Sequence, residues 1–114
     1  MLPAALFAAS MSSWVVPPAA AHARLVESVP AEGAVLATPP ATLVFRFDGA
    51  VEPALTRVVL HGPTDVVLPP LRGDDPRRVV VTAPTGRPGD WWVTWRVVSR
   101  DGHPVTGELR FVVR

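Results

Sequence analysis

Prolines limit this chain more than any other residue type. Fourteen Pro and eight Gly are spread through 114 residues, and a proline inside a helix removes a hydrogen bond and clashes with the preceding turn. Many short strands and turns are therefore favoured over long helices, and the apolar runs between breaks are short. Thr42–Asp48 alternates with Leu43, Phe45 and Phe47 on one face and Val44, Arg46 and Asp48 on the other, the period of a half-buried strand. Arg24–Val29, closed by Pro30 and a Glu32-Gly33 turn, reads as a first strand. Thr56–His61 and Asp65–Leu68 flank Gly62-Pro63 and read as a hairpin. Arg78–Thr82 is another strand, followed by a loop from Pro84 to Gly89. Trp91, Val93, Trp95 and Val97 then share a face, and Glu108–Val113 directs Leu109, Phe111 and Val113 inward. Seven short strands separated by turn signals predict an all-β fold, an antiparallel Greek-key β-sandwich. Trp91 and Trp95, on one face at period two, belong to its core; Trp92 falls on the opposite face.

The length allows one domain, and an apolar content of 48% is enough for its core. Eleven Arg and no Lys against ten acidic residues leave a formal charge of +1. The signs alternate along the chain without a basic run, which gives no footprint for nucleic acid. The absence of Cys excludes disulfides, thiolate metal sites and thiol nucleophiles.

No charged residue precedes Arg24. Leu2 to Val16 is mostly apolar, Pro17-Pro18 ends any helix, and Ala19-Ala20-Ala21 fits a small-residue cleavage site. Residues 1–21 are expected to be a secretory signal and 22–114 the mature domain of 93 residues. The opening Met1-Leu2-Pro3 lacks the positive charge of a usual signal. A retained anchor is the competing reading, opposed by Pro17-Pro18 and by the polar interruptions before Ala19. Ala21-His22-Ala23 offers a second cleavage site, after Ala23.

Near the other end lies Ser99-Arg100-Asp101-Gly102-His103-Pro104. Asp101 and His103 are two apart, so an extended backbone points both side chains the same way, and Gly102 between them tolerates unusual angles. By itself this is an ordinary turn signal. Its meaning changes with His22. Cleavage after Ala21 makes His22 the first residue, whose α-amine and Nδ1 can chelate one metal ion. With His103 and Asp101 the set becomes three nitrogens and one oxygen. Tetragonal N/O sets suit Cu(II), and both Met residues, the soft ligands that favour Cu(I), leave with the signal.

Three groups of residues carry a family resemblance. They are His22-Ala-Arg-Leu25 with Ser28-Val-Pro30-Ala-Glu-Gly33, Leu43-Val-Phe45-Arg-Phe47 with Val51-Glu52-Pro53, and Trp92-Val-Thr-Trp95-Arg-Val-Val-Ser99-Arg-Asp101-Gly-His103-Pro104-Val-Thr-Gly107. In order and spacing they resemble the CopC family of periplasmic copper-binding, copper-resistance proteins over nearly all of residues 22–114. The resemblance implies an immunoglobulin-like β-sandwich with Cu(II) held by an N-terminal His brace and an Asp-x-His pair. Carried over, His22, Asp101 and His103 are the metal ligands. Many relatives have an acidic residue after the second strand. Asp48 stands one place off that pattern and is left out of the ligand set. The Met-rich loop of relatives that also bind Cu(I) has no match here.

Each residue also has a plainer reading. His22 is then only the residue after a cleavage site, Asp101 caps a turn, Pro104 stiffens the backbone, and Trp95 packs beneath the site. His61 beside Gly62-Pro63 is expected to be a solvent-exposed loop residue without a role. The function implied is a non-enzymatic, exported protein that sequesters or delivers copper, monomeric, in the periplasm or at the cell surface. An inner-membrane importer of the CopD type is the partner that the resemblance suggests; the chain ends at Arg114 without a second apolar span that would fuse it to one. Two other classes compete. A histidine-brace copper oxidase or monooxygenase needs an open metal position that Asp101 would fill, and the chain has no Tyr. A metal-free β-sandwich interaction module would make Asp101-Gly102-His103 only a turn.

Overall fold

A computed structural model describes residues 23–84 and 86–114. Among the described residues eight strands form two sheets: β1 (Leu25–Val29), β2 (Val35–Leu36), β3 (Thr42–Phe47), β4 (Arg57–His61), β5 (Val66–Leu68), β6 (Arg78–Thr82), β7 (Gly89–Val98) and β8 (Pro104–Val113). A 3-10 turn, Pro53–Leu55, precedes β4. One sheet has the order β1-β3-β6 and the other β2-β8-β7-β4-β5. The two-sheet, all-β expectation is borne out.

Alternation fixes which residues face inward. Leu43, Phe45 and Phe47 of β3, Val93, Trp95 and Val97 of β7, and Leu109, Phe111 and Val113 of β8 are all buried. Trp95 sits against Phe45 and edge-on to Phe47, with ring centroids 6.2 and 5.3 Å apart. Its cross-strand partner is Gly107, and any Cβ there would overlap the indole, with Cε2 only 2.6 Å away. The glycine is what lets the large ring lie flat across β8. Trp91 is half-buried and packs against the core, its indole N–H donating to the Arg87 carbonyl at 3.2 Å.

Two elements differ from the sequence expectation. β2 was not foreseen, and it pairs parallel with β8 through Val35–Val112 and Leu36–Val113, so the sandwich is not wholly antiparallel. β8 starts at Pro104, four residues early, because a proline at the first position of a strand forfeits no ladder bond that the turn needs. Pro104 stands opposite Val98 as the last pair of the long β7–β8 hairpin.

The register gathers one set of strand ends. Leu25 at the start of β1 pairs with Phe47 at the end of β3, and Arg46 pairs with Arg78 at the start of β6. In the other sheet Arg57, the first residue of β4, pairs with Arg96 near the end of β7. The sheets meet at this end through an isolated bridge between Val51 and Ser99 and an Arg100 N–H to Ala50 carbonyl bond of 3.3 Å. The first residues of β1 and the β7–β8 turn therefore lie at the same end of the sandwich.

Candidate metal centre

The β7–β8 turn is built from its own backbone. Ser99 N–H donates to the His103 carbonyl at 2.9 Å, and Gly102 N–H donates to the Ser99 carbonyl at 2.9 Å. Gly102 has φ of +88°, a left-handed conformation that glycine adopts without steric cost. Asp101 and His103 thus converge by turning, not by the extended alternation that their spacing suggested.

Within this turn His103 Nδ1 lies 2.8 Å from Asp101 Oδ2. The other carboxylate oxygen, Oδ1, accepts from the Ser99 hydroxyl, and the His103 N–H points to it at 3.4 Å. Ser99 is 1% exposed and is the one buried polar residue among those described. The Ser99 hydrogen bond, supported by the His103 ring, backbone N–H and charge, holds the Asp101 carboxyl at about 2 against an ordinary 3.8, although desolvation pulls the other way. Asp101 is therefore an anion throughout the physiological range. The ring of His103 is well exposed and Asp101 much less so, so the turn presents an imidazole to solvent backed by a carboxylate.

The third predicted donor, His22, lies outside the described residues, as does the expected signal of residues 1–21. Among the described residues no group of three or more His, Cys, Asp or Glu could hold a metal ion. What the structure does fix is the chain that follows His22. Ala23 is buried; Arg24 N–H donates to Asp48 Oδ1 at 2.7 Å, and Asp48 N–H donates to the Arg24 carbonyl at 2.9 Å. The Asp48 loop runs on to Ala50 and Val51, the residues that touch Arg100 and Ser99. One short loop thus joins Arg24, at the entry to β1, to the β7–β8 turn.

His61 is not an exposed loop residue. It is the last residue of β4 with a side chain 21% exposed. Its Nε2 lies 2.7 Å from Thr94 Oγ1, its Nδ1 3.2 Å from Asp65 Oδ1, and its ring stacks on Trp92 at 4.3 Å. Arg110 lies over the same Trp92 at 4.9 Å. Register explains the set, since His61, Trp92 and Arg110 are successive cross-strand partners. Trp92, unexplained in the sequence, is the centre of an aromatic and cation ladder. Sequence reasoning also missed Ser99, since serine in a turn is unremarkable and only its burial marks it.

Comparison with known proteins places the chain in a family. The CopC domain model matches residues 25–114. This chain belongs to the CopC family. Copper resistance protein C of Pseudomonas syringae pv. tomato is 40% identical over 119 aligned positions, which cover 96% of this chain and 92% of that protein. CopC from Methylosinus trichosporium OB3b superimposes with a TM-score of 0.73 at 33% identity, over 81% of this chain and 93% of that one. PcoC from Escherichia coli, described as a methionine-rich copper resistance protein, does so with a TM-score of 0.70 at 28% identity, over 82% of this chain and all of PcoC. The CopC match includes Ser99, Asp101 and His103 but starts three residues beyond His22. Membership makes the chain's role a copper-related one. No helix among the described residues is long and apolar enough to cross a membrane.

Proposed function

We propose that this chain is an exported Cu(II)-binding protein that sequesters copper or hands it over in copper tolerance or supply, and that it is not an enzyme. The observation that carries the reading is the Asp101–His103 pair, 2.8 Å apart in a turn at the end of the sandwich where β1 begins. His22, freed by removal of residues 1–21, supplies its amine and Nδ1; His103 supplies Nδ1, the metal taking the place of the proton between it and Asp101 Oδ2. Asp101 supplies a carboxylate oxygen, which retains lone pairs while it accepts hydrogen bonds. Three nitrogens and an oxygen are a Cu(II) set. Both methionines precede His22, so a methionine site for Cu(I) has no residues to use. The protein acts as a monomer in the periplasm or at the cell surface, and an inner-membrane importer of the CopD type is its recipient; family resemblance supports these parts of the proposal.

The test is a pair of competition titrations on the exported protein, with separate Cu(II) and Cu(I) chelators. One Cu(II) binds tightly, Cu(I) no better than to an ordinary His pair. Asp101→Ala and His103→Ala each weaken Cu(II) on the order of 10-fold or more while circular dichroism is unchanged, because neither residue is in the core. Affinity unchanged in both variants removes the turn from the site. Peroxide release with ascorbate, coupled to turnover of a candidate substrate, would place the protein among the copper oxidases instead.

A further inference from the structure

We infer that Ser99 is a positioning residue of the copper site: its enclosed hydroxyl sets the direction of the Asp101 carboxylate and, through it, of the His103 ring. The inference rests on the Cu(II) reading above and deepens it.

Ser99 is 1% exposed, and its main chain is fixed on three sides. Its N–H donates to the His103 carbonyl, its own carbonyl accepts from Gly102 N–H, and it bridges Val51 of the neighbouring loop. With the backbone held, few positions remain for Oγ. From its position Oγ reaches two acceptors, the Asp101 carboxylate and the His103 carbonyl at 3.2 Å. The carbonyl already takes the Ser99 N–H, and a carboxylate is the stronger acceptor. The hydroxyl proton therefore goes to Asp101 Oδ1. That bond, shorter than the approach of the His103 N–H to the same oxygen at 3.4 Å, sets the carboxylate rotation. Oδ2 is then directed at His103 Nδ1, 2.8 Å away, so a buried hydroxyl orients an exposed imidazole at one remove. Chains of this kind around metal ligands change metal affinity on the order of 10–100-fold when broken. None of the backbone bonds of the turn uses the Ser99 side chain, so alanine retains the turn and loses only the aim.

Cu(II) competition titrations and electron paramagnetic resonance on the full exported protein compare wild type, Ser99→Ala, Asp101→Ala and the double variant. Ser99→Ala should lower Cu(II) affinity on the order of 10-fold and alter the spectrum. In the Asp101→Ala background it should have no further effect, because its action passes through Asp101. Wild-type affinity and spectrum in Ser99→Ala, with Asp101→Ala weakened, overturn this inference alone, and so does an additive loss in the double variant. Wild-type affinity in Asp101→Ala overturns the Cu(II) reading and this inference together. If Ser99→Ala does not fold, proton NMR of the copper-free wild type decides. A slowly exchanging Ser99 hydroxyl resonance that disappears in Asp101→Ala supports the inference; one that persists there, or is missing in wild type, overturns it.

Discussion

Asp48 and Arg24 clasp each other's backbone. Arg24 N–H donates to Asp48 Oδ1 at 2.7 Å, Asp48 N–H donates to the Arg24 carbonyl at 2.9 Å, and the Arg24 Nε stands 3.8 Å from Oδ2. The guanidinium contact is largely exposed and adds little. The amide contact matters more, since it fixes the main chain two residues after His22.

From this clasp follows a distinction between ligand and tether. Asp48→Ala should release the start of β1 and weaken Cu(II) on the order of 10-fold, whereas Asp48→Asn, which keeps a carbonyl oxygen for the Arg24 N–H, should stay close to wild type. A metal-bound carboxylate would give the opposite pattern, with Asn as damaging as Ala and an altered paramagnetic resonance spectrum. Titration of the two variants separates the cases.

Acid should release copper through the nitrogens before it reaches the carboxylate. An unperturbed imidazole and α-amine take up protons near ~6.5 and ~7.7–8.0, and each must be deprotonated to ligate. Asp101 keeps its charge down to about 2. Affinity should therefore fall steadily from pH 8 to pH 5, and Asp101→Ala should lower it across that window. In the copper-free protein the sign follows from a depressed carboxyl. Asp101's contribution to stability is complete above its ordinary 3.8 and is lost as pH falls through about 2. Acid unfolding of Asp101→Asn should lack that component.

Period-two segments were legible because burial on one face writes itself into the sequence, as in Leu43, Phe45 and Phe47. β2 was not, since two residues carry no period. Its place is set by distant bonds, Gly33 N–H to the Arg110 carbonyl and Val112 N–H to the Ala34 carbonyl. Proline at 104 hid the start of β8 for a similar reason: its partner Val98 lies across a turn that the sequence did not define. At the candidate site, Asp101 and His103 stood out by residue type and spacing. Ser99 and Asp48 did not, because one is marked only by burial and the other acts on a residue twenty-four positions away. His61 beside Gly62-Pro63 looked like a loop residue; a strand register placed it against Trp92 instead.

Gly107 offers a test of the core beneath the site. Its missing side chain is the space that the Trp95 indole occupies. Gly107→Ala must push the ring or the strand, a misfit that typically costs ~1–3 kcal/mol. Thermal denaturation should show the loss, and tryptophan emission should shift as the ring moves. Neither Asp101 nor His103 touches this position, so Cu(II) affinity below the melting transition should change by less than about threefold, well under the standard 10-fold step of 1.4 kcal/mol. A variant as stable as wild type, with unchanged emission, would mean that the indole does not lie over residue 107.

The N-terminus gives the most discriminating measurement. One Gly added before His22 leaves every side chain of residues 22–114 available but moves the free amine one residue away from the His22 imidazole. The six-membered chelate of amine and Nδ1 within a single residue is lost, and the Gly amine can join the imidazole on one ion only if the His22 amide nitrogen between them gives up its proton. Cu(II) should bind more weakly and in a different geometry, read as changed paramagnetic resonance parameters, while the melting temperature without copper hardly moves because nothing in the sandwich is altered. Cleavage after Ala23 would act more severely by removing His22, so the intact mass of the exported protein must first show the cut after Ala21. Equal affinity and spectrum for the native and Gly-extended proteins would mean that the amine is not a ligand, leaving Asp101 and His103 to find another nitrogen. His61 is poorly placed to supply it, with Thr94 and Asp65 on its two ring nitrogens.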